Sequence, residues 1–172
     1  KQNRSAGISE EEIIKIAVKS MGLDDLKPFD AKEKVIEYLL EDGAAKKLID
    51  LTVKGFAIET ASESPAPGGG SISAYMGALG AALGTMVANL SSHKPGWDDR
   101  WQYFSGWAEK GQSIMSEMLY LVDEDTNSFN KILTAFGLPK GNDEEKAIRS
   151  AAIQAATQYA TEIPLRTMKV AY

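Results

Sequence analysis

The sequence predicts an all-α fold: an up-and-down helical bundle around a Gly/Ala-rich central helix, incomplete at its C-terminus. Three observations carry this prediction. Apolar residues recur at steps of three and four along the long segments, as one face of a 3.6-residue helix requires. No stretch alternates apolar and polar residues with the period of two that a half-buried strand needs. Capping boxes and glycine or proline turns mark the ends of several of these segments.

Taken in order, Ser9-Glu10-Glu11-Glu12 forms a capping box that opens a first helix through Ile13, Ile14, Ala17 and Val18, and Gly22 closes it. A second short helix follows Pro28, with Asp30 and Glu33 as its capping pair and Val35, Ile36, Leu39 and Leu40 as its apolar face. Asp42-Gly43 punctuates. These 43 residues are too few to bury a core of their own, so residues 1–43 read as a linker or arm docked on something else. From Ala44 a third helix is expected to run to about Glu63.

Pro65-Ala66-Pro67-Gly68-Gly69-Gly70-Ser71 comes next and leads into the uncharged segment from Ile72 to Ser92. Glycines admit left-handed dihedrals and close approach to a ligand. Ser71 occupies an expected N-cap, leaving free N–H groups and the positive end of a helix facing the loop. Gly68, Gly69, Gly70 and Ser71 are therefore candidate small-molecule binding residues; a tight turn between closely packed helices explains the same residues. The uncharged helix is long enough to be weighed as a membrane span. Its three glycines, its Ser, Thr and Asn residues and its scarcity of large aliphatics favour a buried central helix instead. Gly77, Gly80 and Gly84, interleaved with alanines, predict close approach by another helix, for which the alanine-rich segment Ala147–Ile163 is the natural partner.

After Lys94-Pro95-Gly96, a long helix is expected from about Asp98 to Phe136, ended by Gly137-Leu138-Pro139. Pro164 is expected to kink or break the last helix, and the chain stops at Tyr172 within a helical pattern. Together with an opening that lacks methionine, this reads as a segment of something longer.

Composition narrows the function. The 172 residues are 44% hydrophobic and 25% charged, the balance of a soluble globular protein. A net charge of -5 without a basic cluster argues against nucleic acid. With no cysteine and His93 as the single histidine, neither thiolate chemistry nor a conventional zinc centre is available, and no metal site is expected. A reducing, cytoplasmic setting and no membrane association fit.

The long helix carries a stripe from Trp97 through Trp101, Phe104, Ala108, Gly111, Met115, Met118, Val122, Asp125, Phe129 and Ile132 to Phe136. Asp125 is the one acid on it; Asp123 and Glu124 fall off the stripe and can be solvated. A carboxyl on such a seam is paired, hydrogen-bonded by backbone donors, or protonated. It is a candidate proton donor, or a structural group that caps another helix or pairs with a lysine. Asn89, polar near the end of an apolar helix, could contact a ligand or bond to the backbone. Lys94, in the turn after it beside His93, could meet an anionic tail.

The run Ser62-Glu63-Ser64-Pro65-Ala66-Pro67-Gly68-Gly69-Gly70-Ser71, the segments Gly77–Leu83 and Met86–Leu90, Leu121-Val122-Asp123-Glu124-Asp125 and Leu138-Pro139-Lys140 resemble the formimidoyltetrahydrofolate cyclodeaminase family, which includes methenyltetrahydrofolate cyclohydrolases. The resemblance covers Ala44 to Tyr172. Arg4–Ser9 and Lys34–Leu39 resemble the segment that joins glutamate formiminotransferase to the cyclodeaminase. The resemblance implies an arm at 1–43, a truncated helical domain at 44–172, and a bifunctional parent of histidine degradation. It implies no bound cofactor, a folate substrate that can be polyglutamylated, a transferase domain in the same parent chain, and a homodimer or larger homo-oligomer. It places the family's proton donor, the second acid of Val-Asp-x-Asp, on Asp125. Gly68, Gly69, Gly70 and Ser71 would then hold the folate ring or its glutamates, and Lys94 would meet the glutamates. The related alternatives are a cyclohydrolase of the same fold and a non-catalytic dimerisation module.

Overall fold

The computed structural model describes Gly7 and residues 10–25, 27–36, 38 and 47–172. These residues form helices α1 (Glu10–Ser20), α2 (Ala31–Lys34), α3 (Val53–Thr60), α4 (Gly69–Ser92), α5 (Trp101–Phe136) and α6 (Asp143–Ala171), with a 3₁₀ turn at Leu48–Asp50 and no strand. The all-α prediction holds. Ser9, Leu39, Leu40 and the expected helix start at Ala44 lie outside the described residues.

Two compact units are present, Lys1–Lys46 with Gly84–Gln112 and Lys47–Leu83 with Ser113–Tyr172, so that α4 and α5 each contribute to both. In the second unit the order of contacts defines the topology. Ser71 meets Asp125 and Gly77 meets Met118, so α4 and α5 run antiparallel. Arg149 reaches the Phe136 carbonyl, Tyr159 meets Glu124 and Arg166 pairs with Glu117, so α5 and α6 also run antiparallel. The core of this unit is Ala74, Ala78, Met118, Leu121, Val122 and Ile163, flanked by Leu48, Phe56, Tyr75, Ile114 and Tyr159. The α5 stripe is the reason: Met118 and Val122 are fully buried on it, and among its members Phe136 is the one left exposed.

The first unit centres on Ala88, Ser105 and Ala108. Gly7 lies against Ala108, where a Cβ would come within 2.4 Å of the alanine methyl. Gly22 closes α1 as expected: it takes φ +64°, and Leu23 N–H bonds back to the Val18 carbonyl at 3.0 Å, the left-handed helix ending that glycine permits.

Several boundaries differ from expectation, each for a local reason. The third helix is split: Leu51 is extended, and Thr52, accepting from Gly55 N–H at 3.0 Å, caps a separate α3. The turn around Gly96, at φ +82°, delays α5 to Trp101. Pro164 does not break α6, which runs unbroken past it, although the ring removes one backbone donor. The uncharged α4 passes the length and composition test for a membrane span, yet it is neither buried all round nor featureless. It buries Ser71, Ala74, Ala78, Thr85 and Ala88 and exposes Met76, Leu79, Leu83, Met86 and Leu90. Of the alanine-rich segment expected to partner α4, Ile163 joins Ala74 and Ala78 of α4 in the core, while Ala152, Ala155 and Ala156 line a groove of about 350 Å³ with Lys131, Thr134, Ala135 and Leu138 at the end of α5. Added Cβ atoms at Gly80 and Gly84 would meet open space.

Candidate functional site

The glycine loop and the seam acid meet. Asp125 Oδ2 accepts from Ser71 N–H at 2.8 Å and from the Ser71 hydroxyl at 3.2 Å. That hydroxyl also lies 2.8 Å from the Val122 carbonyl and 3.3 Å from Thr126 Oγ1, so the buried Ser71 side chain is tied to one turn of α5. Among the described residues no hydrogen bond reaches Asp125 Oδ1.

Two details of the loop are corrected. Ser71 is the third residue of α4 rather than its N-cap, and the helix starts at Gly69. Its N–H is one of the donors a helix start leaves unpaired, and the carboxylate of another helix satisfies it, so Asp125 sits at the positive end of α4. The glycines do not serve left-handed geometry, since the positive-φ glycines among the described residues are Gly22 and Gly96. Gly70 serves close approach: a Cβ there would lie 2.1 Å from Asp125 Oδ1 and 2.4 Å from Cγ, so only a hydrogen fits beneath the carboxylate. Gly68 and Gly69 face open space.

The other two candidates belong to the first unit. Asn89 Nδ2 donates to the Gly7 carbonyl at 2.8 Å, which makes it a tie for the arm. Lys94 is exposed, with Nζ 4.1 Å from the centroid of the Trp97 ring.

The acids beside Asp125 are not solvated as the stripe suggested. Asp123 Oδ1 accepts from Leu48 N–H at 2.6 Å. Burial pushes the Asp123 carboxyl above its ordinary value, against that hydrogen bond and with help from the neighbouring Asp50 charge. Glu124 is 9% exposed and accepts from the Tyr159 hydroxyl in a short hydrogen bond, with Lys131 Nζ 3.5 Å away. Burial pushes the Glu124 carboxyl up, but the Tyr159 hydrogen bond and the Lys131 charge outweigh it and hold the group below its ordinary value. The Tyr159 phenol is pushed up to about 12, first by that same hydrogen bond, then by burial and the Glu124 charge. Three adjacent acids in an otherwise apolar turn were the available signal; their partners are up to 75 residues away and leave no local trace. Among the described residues no group of three or more His, Cys, Asp or Glu is placed to hold a metal.

The fold has a solved counterpart. The structure of formiminotetrahydrofolate cyclodeaminase from Thermotoga maritima superposes with a TM-score of 0.60 at 27% identity, covering 72% of this chain and 58% of that one. An all-helical protein of the cyclodeaminase fold class is thereby defined. The Formiminotransferase-cyclodeaminase family model matches residues 52–172, and the Formiminotransferase domain model matches residues 1–41. The chain belongs to the Formiminotransferase-cyclodeaminase family. It is 37% identical to the mouse (Mus musculus) formimidoyltransferase-cyclodeaminase over 160 residues, 92% of this chain and 30% of that protein. It is 38% identical to methenyltetrahydrofolate cyclohydrolase of Methylorubrum extorquens over 119 residues, 69% of this chain and 57% of that protein. The chain thus spans about 30% of the length of the bifunctional relatives it matches.

Proposed function

We propose that this chain carries the cyclodeaminase function of a bifunctional folate enzyme, converting 5-formimino-tetrahydrofolate to 5,10-methenyltetrahydrofolate and ammonia. In this reading, residues 1–43 are the end of a formiminotransferase domain and 44–172 belong to the cyclodeaminase domain. Asp125 is the proton donor. N10 of the folate attacks the formimino carbon, and the N10 proton passes to the imino nitrogen, which becomes an amine. A second proton, from Asp125, makes that amine a leaving group; its C–N bond breaks, ammonia departs, and the methenyl cation remains. An amine leaves poorly unless protonated, which is the work a positioned acid does.

The observation that carries the proposal is the seating of Asp125. One oxygen is held by Ser71, while Oδ1 has no partner among the described residues and lies over the hydrogen of Gly70. The match of residues 1–41 to a formiminotransferase domain favours the deaminase. The 38% identity to a cyclohydrolase favours the second reading, hydrolysis of methenyl-folate on the same fold.

Gly68, Gly69, Gly70 and Ser71 form the substrate side of the corner in this proposal. Lys94, free of a carboxylate partner among the described residues, meets the glutamates. The exposed face of α4 supports the homodimer or larger assembly, since Met76, Leu83 and Leu90 are each at least 60% exposed on it. The site needs no bound cofactor, and the setting is cytoplasmic and part of histidine degradation. The test is to give the full-length protein each substrate separately. The deaminase releases ammonia and methenyl-folate from the formimino substrate; consumption of methenyl-folate alone selects the hydrolase.

A further inference from the structure

Asp123, Glu124 and Asp125 leave α5 about 100° apart, as consecutive helical residues do, and each holds a different element. Asp123 takes Leu48 N–H of the 3₁₀ turn, Glu124 takes the Tyr159 hydroxyl of α6, and Asp125 takes Ser71 at the start of α4. The Glu124 tie is the most elaborate. Lys131, two turns along α5, lies 3.5 Å from the same carboxylate oxygen and 3.9 Å from the centroid of the Tyr159 ring. Glu124 is buried, and the short hydrogen bond fixes a rigid phenol rather than a flexible chain.

The Asp125 contact is sensitive to the rotation of α5. The Ser71 hydroxyl has two acceptors on that helix, the Val122 carbonyl at 2.8 Å and Asp125 Oδ2 at 3.2 Å. An atom about 5 Å from a helix axis moves roughly 1 Å when the helix turns by about 10°. A displacement of about 1 Å of a reacting group costs on the order of a hundredfold in rate.

We propose that Glu124 and Tyr159 are a positioning pair for Asp125: their bond fixes the rotation of α5 and so keeps the Asp125 carboxylate seated on Gly70 and Ser71. This inference rests on Asp125 being the acid. Neither Glu124 nor Tyr159 is assigned a contact with substrate; both act through the helix.

The experiment is steady-state cyclodeaminase kinetics on the full-length protein with Tyr159→Phe, Glu124→Leu, Glu124→Gln, the double variant Tyr159→Phe/Glu124→Leu, and Asp125→Asn, each normalised to the folded fraction by circular dichroism. Tyr159→Phe and Glu124→Leu are expected to lower kcat by about tenfold or more while KM stays within about twofold. Glu124→Gln keeps an oxygen that accepts from the phenol and is expected to recover most of that loss. The double variant is expected to be no slower than the slower single one, because both remove the same bond. Wild-type kcat per folded molecule in Tyr159→Phe, or multiplicative losses in the double variant, overturns the pairing while an inactive Asp125→Asn upholds the acid. An active Asp125→Asn overturns the acid assignment, and the positioning role falls with it.

Discussion

Adding a single methyl group at Gly70 tests the corner where the loop meets the acid. The Cβ of Gly70→Ala would sit 2.1 Å from Asp125 Oδ1, whereas real Cβ contacts essentially never fall below 3.0 Å, so the carboxylate must retreat by roughly 1 Å. That retreat carries Oδ2 away from Ser71 N–H, now at 2.8 Å. If the carboxylate stays, overpacking costs about 1–3 kcal/mol. If it moves, the buried Ser71 N–H loses its partner, at about 1–3 kcal/mol. The better helix propensity of alanine returns up to about 1 kcal/mol. A net loss of about 1–2 kcal/mol is expected, a fall in Tm of about 3–6 °C for a domain of this size. Turnover should fall further than stability, by about a hundredfold, because the displaced group is the proposed proton donor. Gly69→Ala is the control for stability, since its Cβ meets nothing within 4 Å. Thermal unfolding by circular dichroism would be followed for both variants, and ammonia release for Gly70→Ala against wild type. Equal thermal stability of Gly69→Ala and Gly70→Ala would refute the close approach.

Gly80→Ala should raise Tm or leave it unchanged, by up to about 1 kcal/mol of helix propensity, because its Cβ meets open space; a clear loss in thermal unfolding would show that this face of α4 is packed in the assembly. The acids beside Asp125 should act on the pH dependence of stability in opposite senses. The Glu124 carboxyl is held below its ordinary 4.5, so its stabilisation is complete above that pH and lost as pH falls through the lowered value; Glu124→Gln should flatten the acid limb of the stability curve. The Asp123 carboxyl is raised above 3.8, so its contribution is present below that pH and lost as pH rises through the raised value; Asp123→Asn should gain stability at neutral pH relative to acid, by urea titration. Lys94→Ala should raise KM for a polyglutamylated folate while leaving kcat within about twofold, and an unchanged KM would remove Lys94 from the glutamate path.

Much of the architecture was legible because helices announce themselves locally. The α5 stripe predicted burial of Met118 and Val122, and Gly22 was a correct helix ending. Asp125 could be singled out because one charged residue on an apolar seam needs a partner, whereas nothing in the glycine run set Gly70, which lies against Asp125, apart from Gly68 and Gly69. What escaped depends on partners distant in sequence. A single stripe assigns one face of α5, but the helix is contacted by the 3₁₀ turn, α4 and α6 around one turn, so Asp123 and Glu124 are engaged although they lie off the seam. Asn89 bonds to a carbonyl 82 residues away, which no local pattern records. The Ser71 position slipped because the helix begins within the glycine run, where the missing side chains give no capping signal.

Asp125 is proposed to supply the proton that releases ammonia. The most direct measurement is single-turnover conversion of 5-formimino-tetrahydrofolate by full-length wild type and Asp125→Asn, with ammonia and the methenyl chromophore followed together. The variant keeps an oxygen that can accept from Ser71 N–H, so the fold should persist while both signals disappear. Ammonia and methenyl-folate forming at the wild-type rate in the variant would remove Asp125 as the proton donor.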